Sequence, residues 1–353
     1  MKKILIIQNK RIGDVLLSSI IANNIKIVFP DSDVHFFTYD YASAVLVNNP
    51  NIDKIISVND KELKKPINLL KQVLAIRKTD YDIIFDAYSK FQSRLICLFS
   101  GADYRIGFKR KYKTLKLPFY THPVNFLDQS SKPCGKAIED RVNIIDAVFP
   151  ITIPDYVPKL FLTDEEKQYN KLNHLNGPTI MLGVLGSTPQ KSMPYDYVAD
   201  LVNHITQTYK ANILFNYAPH QKAEALKIYE QCIDKDHIHL DIYEDSVRGF
   251  IKLMNKCDIL VANEGGSVHM AKALNKSTFT IYSPYILKDH WASFEDGILH
   301  ESIHLLEEKP NLFTTSREQR KEIEKDPTQL YRELTPAMII KKLDAFLKHH
   351  IKS

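Results

Sequence analysis

The chain has 353 residues, enough for two domains of ordinary size that each bury a core. Its hydrophobic share of 44% and charged share of 25% are typical of a soluble globular protein, and its net charge of +5 is compatible with an anionic partner without requiring one. The four widely spaced cysteines form no CxxC pair, and no window approaches the roughly 18 apolar residues of a membrane span. These features argue against a disulfide framework, a cysteine zinc site and a transmembrane protein, so we expect a protein of the reducing cytoplasm.

The first half of the chain alternates strand-like and helix-like patterns. Apolar strands are predicted at residues 3–8, 34–39, 54–58 and 82–86, and amphipathic helices at residues 14–29, 66–78, 93–99 and 138–148. This alternation predicts an α/β fold with a mostly parallel, doubly wound sheet. The segment 149–158 contains three prolines and is predicted to be a linker.

The alternation restarts after this linker. Strands are predicted at 179–185, 212–217, 238–240, 259–262 and 278–282, and helices at 164–175, 195–209, 221–232, 247–256 and 267–274. Residues 307–326 are predicted to be a loop with a short charged helix, and Thr335-Pro336 begins a final helix. We therefore expect domains at 1–160 and 161–325 and a C-terminal helix at 326–353. Two such domains facing each other would leave a cleft at their strand ends, where such sheets bind ligands.

The turn Glu264-Gly265-Gly266 between a strand and a helix predicts an anion site. Adjacent glycines at the carboxyl end of a strand expose backbone N–H groups at the start of the helix, and the helix dipole adds positive charge. Glu264 and His269 flank the turn, and Ser267 opens the helix. The alternative interpretation is a solvent-exposed turn with a histidine that faces the core.

A second loop in the same half adds to this site. Ser187 and Thr188 offer hydroxyl groups and Lys191 offers an ammonium to a pyrophosphate, although such loops often serve only as helix caps. The chain has neither the GxGxxG fingerprint nor a P-loop, which disfavours an NAD enzyme and a P-loop protein. Two aspartate pairs, Asp31/Asp33 and Asp80/Asp82, precede strands and are interpreted as turn residues. We therefore expect no metal and no cofactor.

Several motifs together resemble glycosyltransferase family 9, the bacterial lipopolysaccharide heptosyltransferases. The similar segments, in chain order, are Arg11-Ile-Gly-Asp14, Tyr81-Asp-Ile-Ile-Phe-Asp86, Phe91-Gln-Ser-Arg94, Arg105-Ile-Gly107, the stretch 187–194, which resembles Ser/Thr…Lys-x-x-Pro, and the stretch 263–271, which resembles Asn-Asp-Ser/Thr-Gly-Pro-x-His-x-Ala. The resemblance runs in order over roughly residues 3 to 300, which makes it more specific than any single motif.

The resemblance implies a GT-B fold, with two Rossmann-like doubly wound domains facing each other across a cleft. The N-terminal domain would bind the acceptor and the C-terminal domain the nucleotide-sugar, and the final helix would pack back on the N-terminal domain. It implies an inverting, metal-independent transfer of heptose from ADP-heptose to the inner core of lipopolysaccharide or lipooligosaccharide. We expect a cytoplasmic monomer that contacts the cytoplasmic face of the inner membrane peripherally, binds an anionic glycolipid and binds no nucleic acid.

The resemblance also assigns roles to individual residues. Asp14 falls where the family has its general base, which would take the proton of the acceptor hydroxyl; the alternative for Asp14 is a helix N-cap. The donor-binding residues expected are Ser187, Thr188, Lys191, Gln221, Glu264, Gly265, Gly266, Ser267 and His269. The acceptor-binding residues expected are Lys10, Arg11, Arg94, Arg105, Lys109 and Arg110, of which the last three belong to a basic stretch at 105–116 whose other interpretation is a solvated face.

The donor half departs from the family pattern at several positions. Glu264, Gly265 and Ser267 stand where the family has Asp, Ser/Thr and Pro. Further departures are Ser192 and Met193, where a basic residue and Trp are usual, and Ala218 and Gln221, where Gly and Glu are usual. A GT-B glycosyltransferase with a different nucleotide-sugar donor, acting on another surface glycan or on protein, is therefore the alternative. A nucleic-acid binder using 105–116 is disfavoured because no RNA- or DNA-binding signature accompanies it, and the retained Asp14 argues against a member without turnover.

Overall fold

The structure, a computed structural model, describes residues 1–109, 117–314 and 316–351. The chain divides into two compact units, Met1–Phe161 and Leu162–Ser353. The boundary lies just after the proline-containing segment 149–158, which is tied to the first unit because Asp155 exchanges hydrogen bonds with Asn23 and Asn24. Within the described residues, no helix combines the length and the apolar character needed to cross a bilayer.

The first unit contains six strands and five helices in the described residues, with one additional 3-10 segment at Asp40–Val45. The strands are β1 (Lys3–Ile7), β2 (Asp33–Tyr39), β3 (Lys54–Val58), β4 (Ile83–Asp86), β5 (Tyr104–Phe108) and β6 (His122–Val124). The helices are α1 (Ile12–Val28), α2 (Asp60–Leu63), α3 (Pro66–Thr79), α4 (Phe91–Phe99) and α5 (Lys136–Asp146).

The first sheet is parallel throughout and has the order β3-β2-β1-β4-β5-β6. Leu5 and Ile7 on β1 pack into a cluster with residues of α3 and α4. Because side chains alternate along a strand, Ile4 and Ile6 point to the opposite face, where α1 packs against α5. Helices therefore cover both faces, and the order reverses between β1 and β4, where doubly wound sheets bind ligands.

The second unit contains five strands and ten helices in the described residues. The strands are β7 (Thr179–Gly183), β8 (Asn212–Asn216), β9 (Ile259–Asn263), β10 (Ser277–Ile281) and β11 (His300–Ile303). The helices are α6 (Asp164–Lys167), α7 (Tyr195–Tyr209), α8 (Lys222–Gln231), α9 (Val247–Lys256), α10 (Gly266–Ala273), α11 (Lys288–Trp291), α12 (Leu305–Glu308), α13 (Arg317–Lys325), α14 (Thr328–Glu333) and α15 (Pro336–His350).

The second sheet repeats the topology of the first. Its five strands are parallel in the order β11-β10-β9-β7-β8. The strand predicted at 238–240 is reduced to a single parallel bridge, in which Ile238 pairs with Ile213 of the edge strand β8. Counting that bridge, the two sheets have the same strand order, and the reversal in the second sheet lies between β7 and β9.

The C-terminal helix is placed differently from the expectation. We expected it to pack back on the first domain, but α15 packs in the second unit against α7, β10 and β11. Its buried side chains Ile339, Leu343, Phe346 and Leu347 recur at helical spacing and join the main core of that unit. The amphipathic pattern reveals which face of such a helix is buried, but it does not reveal which surface covers that face.

The helix predicted at 164–175 is wrong beyond its first turn. Helix α6 ends at Lys167, and residues 168–178 form turns and irregular structure. Asn170, Asn173 and Asn176 interrupt this stretch, and asparagine favours turns over helix interiors. Strands β5, β6 and β11 were not predicted, because each is short and lacks a clean alternation of apolar and polar residues.

Candidate active site

Asp14 lies in the first turn of α1, just beyond the carboxyl end of β1. The helix begins at Ile12, two residues earlier than predicted, so Asp14 is its third residue and is not the N-cap. Its Oδ2 accepts a hydrogen bond of 3.3 Å from the backbone N–H of Arg11, the N-cap residue. Asp14 thus takes part in capping without occupying the cap position.

Arg141 of α5 holds the other oxygen of Asp14. The Arg141 Nη2 atom lies 2.6 Å from Asp14 Oδ1, and both side chains are largely buried. The same guanidinium donates to Ser18 Oγ at 2.8 Å and to the carbonyl oxygen of Ala137. These three acceptors fix the guanidinium, and they leave Oδ2 with only the longer contact from the Arg11 N–H.

Arg141→Met is expected to lower the free energy of unfolding by about 2 kcal/mol, because it leaves a half-buried carboxylate without its cation. It should also lower turnover by about tenfold to a hundredfold, because Asp14 loses the contact that orients it. Urea unfolding and steady-state kinetics measure the two effects separately.

Lys136→Met is the matched control for Arg141→Met. Lys136 lies on the same helix and pairs with Asp140 at 2.6 Å, with both side chains similarly buried, but it does not touch Asp14. We expect this variant to lose stability and to keep its turnover. Equal loss of turnover in both variants would show that Arg141 acts only through the stability of α5.

The predicted acceptor residues fall into two groups in the structure. Lys10 and Arg11 follow β1 and Lys109 follows β5, so these three exposed cations share the carboxyl edge of the sheet with Asp14. Arg94 instead stacks on Phe119, with its guanidinium carbon 4.1 Å from the ring centroid.

The Arg105 side chain also makes its hydrogen bonds within the first unit. It lies near the amino end of β5, where it donates to the carbonyl oxygen of Ala102 at 2.8 Å and to that of Phe119 at 3.4 Å. Arg110 lies outside the described residues. The structure therefore places three of the six predicted cations where an acceptor at the carboxyl edge could meet them.

Asp86 ends β4 beside the strand reversal and is completely buried. Its oxygens accept hydrogen bonds from Tyr120 Oη at 2.7 Å and from the Ser89 backbone N–H at 2.8 Å. Burial raises the pKa of Asp86 to about 6, although these hydrogen bonds oppose the rise. The carboxylate fixes the turn that carries Ser89 and Lys90 to the carboxyl edge of the sheet.

Asp86→Asn is expected to change how stability depends on pH. The folded pKa of about 6 exceeds the unfolded value of about 3.9, so the folded state binds more protons between these values. Relative to the variant, the wild type should then lose roughly 2 kcal/mol of stability as pH rises from 4 to 7. Urea unfolding of both proteins at pH 4 and at pH 7 gives the stability difference between them at each pH. The same difference at both pH values would contradict the raised pKa of Asp86.

In the second unit, the loop after β7 is compact. Gly186 donates its N–H to Ser192 Oγ at 3.0 Å, and Ser192 Oγ in turn donates to the carbonyl oxygen of Thr188. A side chain at Gly186 would collide with the Lys191 carbonyl oxygen, 2.2 Å from an added Cβ, so only glycine fits there. Gln221 donates to the carbonyl oxygen of Gly186 at 2.9 Å, which ties the loop after β8 to this one.

Lys191 and Glu264 join the two predicted anion loops. Lys191 Nζ lies 3.0 Å from Glu264 Oε1, and the Glu264 side chain is 7% exposed. Glu264 also accepts hydrogen bonds from the Ser283 N–H and hydroxyl, and Tyr331 donates to Ser283 Oγ at 2.6 Å. The ammonium is therefore held at the reversal between β7 and β9 by a buried carboxylate.

The turn after β9 leaves room for a ligand. Gly265 has φ 162°, an extended conformation open to any residue, and an added Cβ would meet nothing within 4 Å. Gly266 begins α10, Ser267 is its second residue, and His269 one turn in is about nine-tenths buried. Ser187 is exposed and Thr188 half-buried on the facing loop. The predicted donor residues are thus brought to one edge of the second sheet.

The described residues include no group of three or more histidines, cysteines or acids that could hold a metal ion. The four cysteines are free thiols and all are buried. Lys191 and the amides of the Gly265-Gly266 turn are the groups best placed to neutralise an anion at this edge.

The profile of glycosyltransferase family 9 (heptosyltransferase) matches residues 69–343, which is more than three-quarters of the chain. The chain belongs to this family. This confirms the resemblance found in the motifs, and the protein is a glycosyltransferase.

Known relatives of the family 9 chain agree with that assignment. The lipopolysaccharide heptosyltransferase 1 of Campylobacter coli is 25% identical over 296 residues, which cover 79% of this chain and 83% of that protein. A family 9 glycosyl transferase structure from Veillonella parvula DSM 2008 superposes with a TM-score of 0.79 at 15% identity, covering 98% of this chain and 96% of that one. The ADP-heptose lps heptosyltransferase II of E. coli superposes with a TM-score of 0.71 at 17% identity, covering 98% of each chain. This likeness confirms the predicted GT-B fold.

Sequence reasoning missed two residues of the first unit of this family 9 glycosyltransferase. Arg141 pairs with an acid 127 positions away, and no local pattern signals that contact. Lys90 lies exposed at the carboxyl edge, directly after the turn that follows β4. Its position just after a buried strand is the sequence signal that could have identified it.

Proposed function

We propose that this family 9 chain is an inverting, metal-independent heptosyltransferase, which moves heptose from ADP-heptose to the inner core of lipopolysaccharide or lipooligosaccharide. The observation that carries the proposal is the ion pair of Lys191 with Glu264, which joins the loop after β7 to the open glycine turn at the reversal of the second sheet. Relatives named as lipopolysaccharide heptosyltransferases support the sugar and the acceptor.

The donor half would bind the diphosphate of the nucleotide-sugar. When the bond between the anomeric carbon and the diphosphate oxygen breaks, that oxygen gains negative charge and needs positive partners more than a proton. Lys191, the hydroxyls of Ser187 and Thr188, and the amides that begin α10 at Gly266 would provide them. Gln221, Glu264, Gly265, Ser267 and His269 would line the same site. With those groups in place no metal ion is needed, so metal chelation should leave the rate unchanged.

Asp14 would be the general base. In an inverting transfer the acceptor hydroxyl attacks the anomeric carbon in one displacement, and its proton passes to a carboxylate. Asp14 Oδ2 is the oxygen that Arg141 leaves available, and its contact with the Arg11 N–H is long at 3.3 Å. The proton would therefore pass to Oδ2 while Arg141 keeps the carboxylate oriented.

The acceptor would be an anionic glycolipid that meets the carboxyl edge of the first sheet. Lys10, Arg11 and Lys109 are exposed there and could pair with its phosphates or carboxylates. We further propose that the protein acts as a monomer at the cytoplasmic face of the inner membrane.

A transfer assay tests the proposal directly. Purified enzyme with ADP-heptose and a heptose-deficient core acceptor should form product whose anomeric configuration, measured by NMR, is opposite to that of the donor. The rate should be the same with and without EDTA. Retention of configuration, or activity only with added metal, would contradict the proposal.

A different nucleotide-sugar remains the second candidate, because several residues of the donor half, Gln221 among them, differ from the family pattern. Gln221 stands where the family has a glutamate, so a negative charge is absent there. Its Oε1 accepts a hydrogen bond from the Ala218 N–H, and its Nε2 donates to the Gly186 carbonyl oxygen. Thermal shift with ADP-heptose, UDP-sugars and GDP-sugars discriminates, since only a ligand of the native state raises the melting temperature. Stabilisation by a UDP- or GDP-sugar alone would favour the second candidate.

A further inference from the structure

Helix α3 presents apolar side chains to solvent. Ile67, Leu70 and Leu74 are 59%, 51% and 56% exposed, which is far more than a residue of a packed face. Positions i, i+3 and i+7 share one side of a helix, so these three side chains form a continuous stripe. The opposite side of α3 carries Val73 and Ile76, which are buried in the core.

Helix α4 extends this apolar surface. Phe91 and Phe99 are 58% and 49% exposed and lie two turns apart on one side of the helix. The buried residues Ile96 and Cys97 of α4 join the same core cluster as those of α3, and the two helices pack together. Both helices therefore cover one face of the sheet, and their exposed sides point away from it. We call this the α3–α4 surface, formed by Ile67, Leu70, Leu74, Phe91 and Phe99.

Cations border the α3–α4 surface. At 100° per residue, Lys71 and Lys78 lie on one flank of the α3 stripe and Arg77 on the other. Neither the sequence from 63 to 79 nor that of α4 contains an acidic residue. None of the ion pairs among the residues that the structure describes involves these three cations.

We propose that the α3–α4 surface docks on an anionic lipid bilayer. Leucine, isoleucine and phenylalanine side chains would enter the boundary between headgroups and acyl chains, and the flanking Lys and Arg would pair with lipid phosphates. An apolar stripe flanked by Lys71, Arg77 and Lys78, with no acidic residue on either helix, matches both layers of such a membrane, and the two attractions add. Monomeric proteins seldom leave contiguous apolar surface of this kind without a partner.

A second copy of the chain fits this surface less well. A symmetric dimer brings the same patch of both copies together, so Lys71, Arg77 and Lys78 of one copy would approach their own equivalents. Neither helix carries an acidic residue that could compensate this repulsion, and Glu62, just before α3, already pairs with Lys65. The bilayer supplies the anions that the surface lacks.

This inference deepens the proposed function, because a membrane-bound acceptor gives the enzyme a reason to approach a bilayer. It rests on the proposed function only in that respect. Vesicle binding is measured without donor or acceptor, so its failure would leave the transfer chemistry standing, and failure of the transfer assay would leave vesicle binding standing.

Vesicle cosedimentation tests the proposal with the full-length protein. Wild type should bind vesicles of mixed phosphatidylcholine and phosphatidylglycerol, bind them more weakly at high salt, and bind pure phosphatidylcholine vesicles least. Ile67→Gln/Leu70→Gln/Leu74→Gln should lower the partition coefficient at least about tenfold. Lys71→Gln/Lys78→Gln should lower it about twentyfold or more, since each cation near the surface contributes about fivefold.

Two controls keep the outcome decisive. Leu226→Gln/Ile233→Gln removes exposed apolar side chains of the second unit, 39% and 73% exposed, and should leave binding unchanged. Circular dichroism and melting curves check that each variant folds. If the apolar variant does not fold, vesicle binding by the lysine variant tests the proposal. Binding by both α3 variants equal to wild type would overturn the proposal. The other outcome is that light scattering detects a wild-type dimer that the apolar substitutions dissociate, while the wild type does not bind vesicles. That result would overturn the proposal and assign the surface to a second copy of the chain.

Discussion

Asp14→Asn is expected to lower kcat by about 10²–10⁴ and to leave the affinity for ADP unchanged, because it removes the proposed proton acceptor. The asparagine retains a side-chain oxygen that can take the position of Oδ1 and accept the hydrogen bond from Arg141. The first unit should therefore still fold. The loss of the capping contact from Arg11 should cost only about 1 kcal/mol of stability. Single-turnover kinetics with ADP-heptose and calorimetric titration with ADP measure the two quantities.

Asp155→Asn is the matched control for Asp14→Asn. Asp155 is a partly buried acid that also bonds to α1, through Asn23 and Asn24, but it bonds near the other end of that helix. This variant should keep full turnover. If Asp14→Asn retains a rate within about tenfold of wild type, the base is another group.

Lys191→Met is expected to weaken ADP binding at least about tenfold and to lower kcat/KM by about 10²–10³, because the departing diphosphate loses its cation. It should also lower the free energy of unfolding by about 2 kcal/mol, because Glu264 stays buried without a positive partner. Calorimetry with ADP, transfer kinetics and urea unfolding separate binding, turnover and stability.

The double variant Lys191→Met/Glu264→Gln separates the two roles of Lys191. It removes the unpaired charge, so it should regain most of the lost stability and none of the lost ADP affinity. Lys171→Met serves as the control, since Lys171 pairs with Glu244 at 2.8 Å in the same unit and is not part of the donor loops. Recovery of ADP binding in the double variant would mean that Lys191 serves the fold alone.

Much of the fold could be predicted from local pattern. The helices at 195–209 and 247–256 match α7 and α9 residue for residue, because strong amphipathic periodicity coincides with clear ends. The helix at 164–175 failed because charged residues at its start suggested a length that the following asparagines do not support. Strand β5 was missed because Tyr104–Phe108 overlaps the basic stretch 105–116, which was interpreted by its charge and not by its backbone.

The candidate site was predictable where chemistry is local. The turn at 264–266 and the loop at 186–191 were both identified, since each follows a buried strand and precedes a helix. Their joining by the Lys191–Glu264 pair depends on the order of strands in the sheet, which periodicity does not encode. The same limit explains why Arg141 was missed, and why Arg105 was assigned to an acceptor when it bonds to backbone carbonyls.

A crystal structure of the protein with bound ADP tests the central claim most directly. We predict that the β-phosphate lies within hydrogen-bond distance of Lys191 Nζ and of the backbone N–H of Gly266, at the reversal of the second sheet. A diphosphate bound elsewhere, with Lys191 still held by Glu264 and the glycine turn open, would contradict the assignment of the donor site and the chemistry built on it.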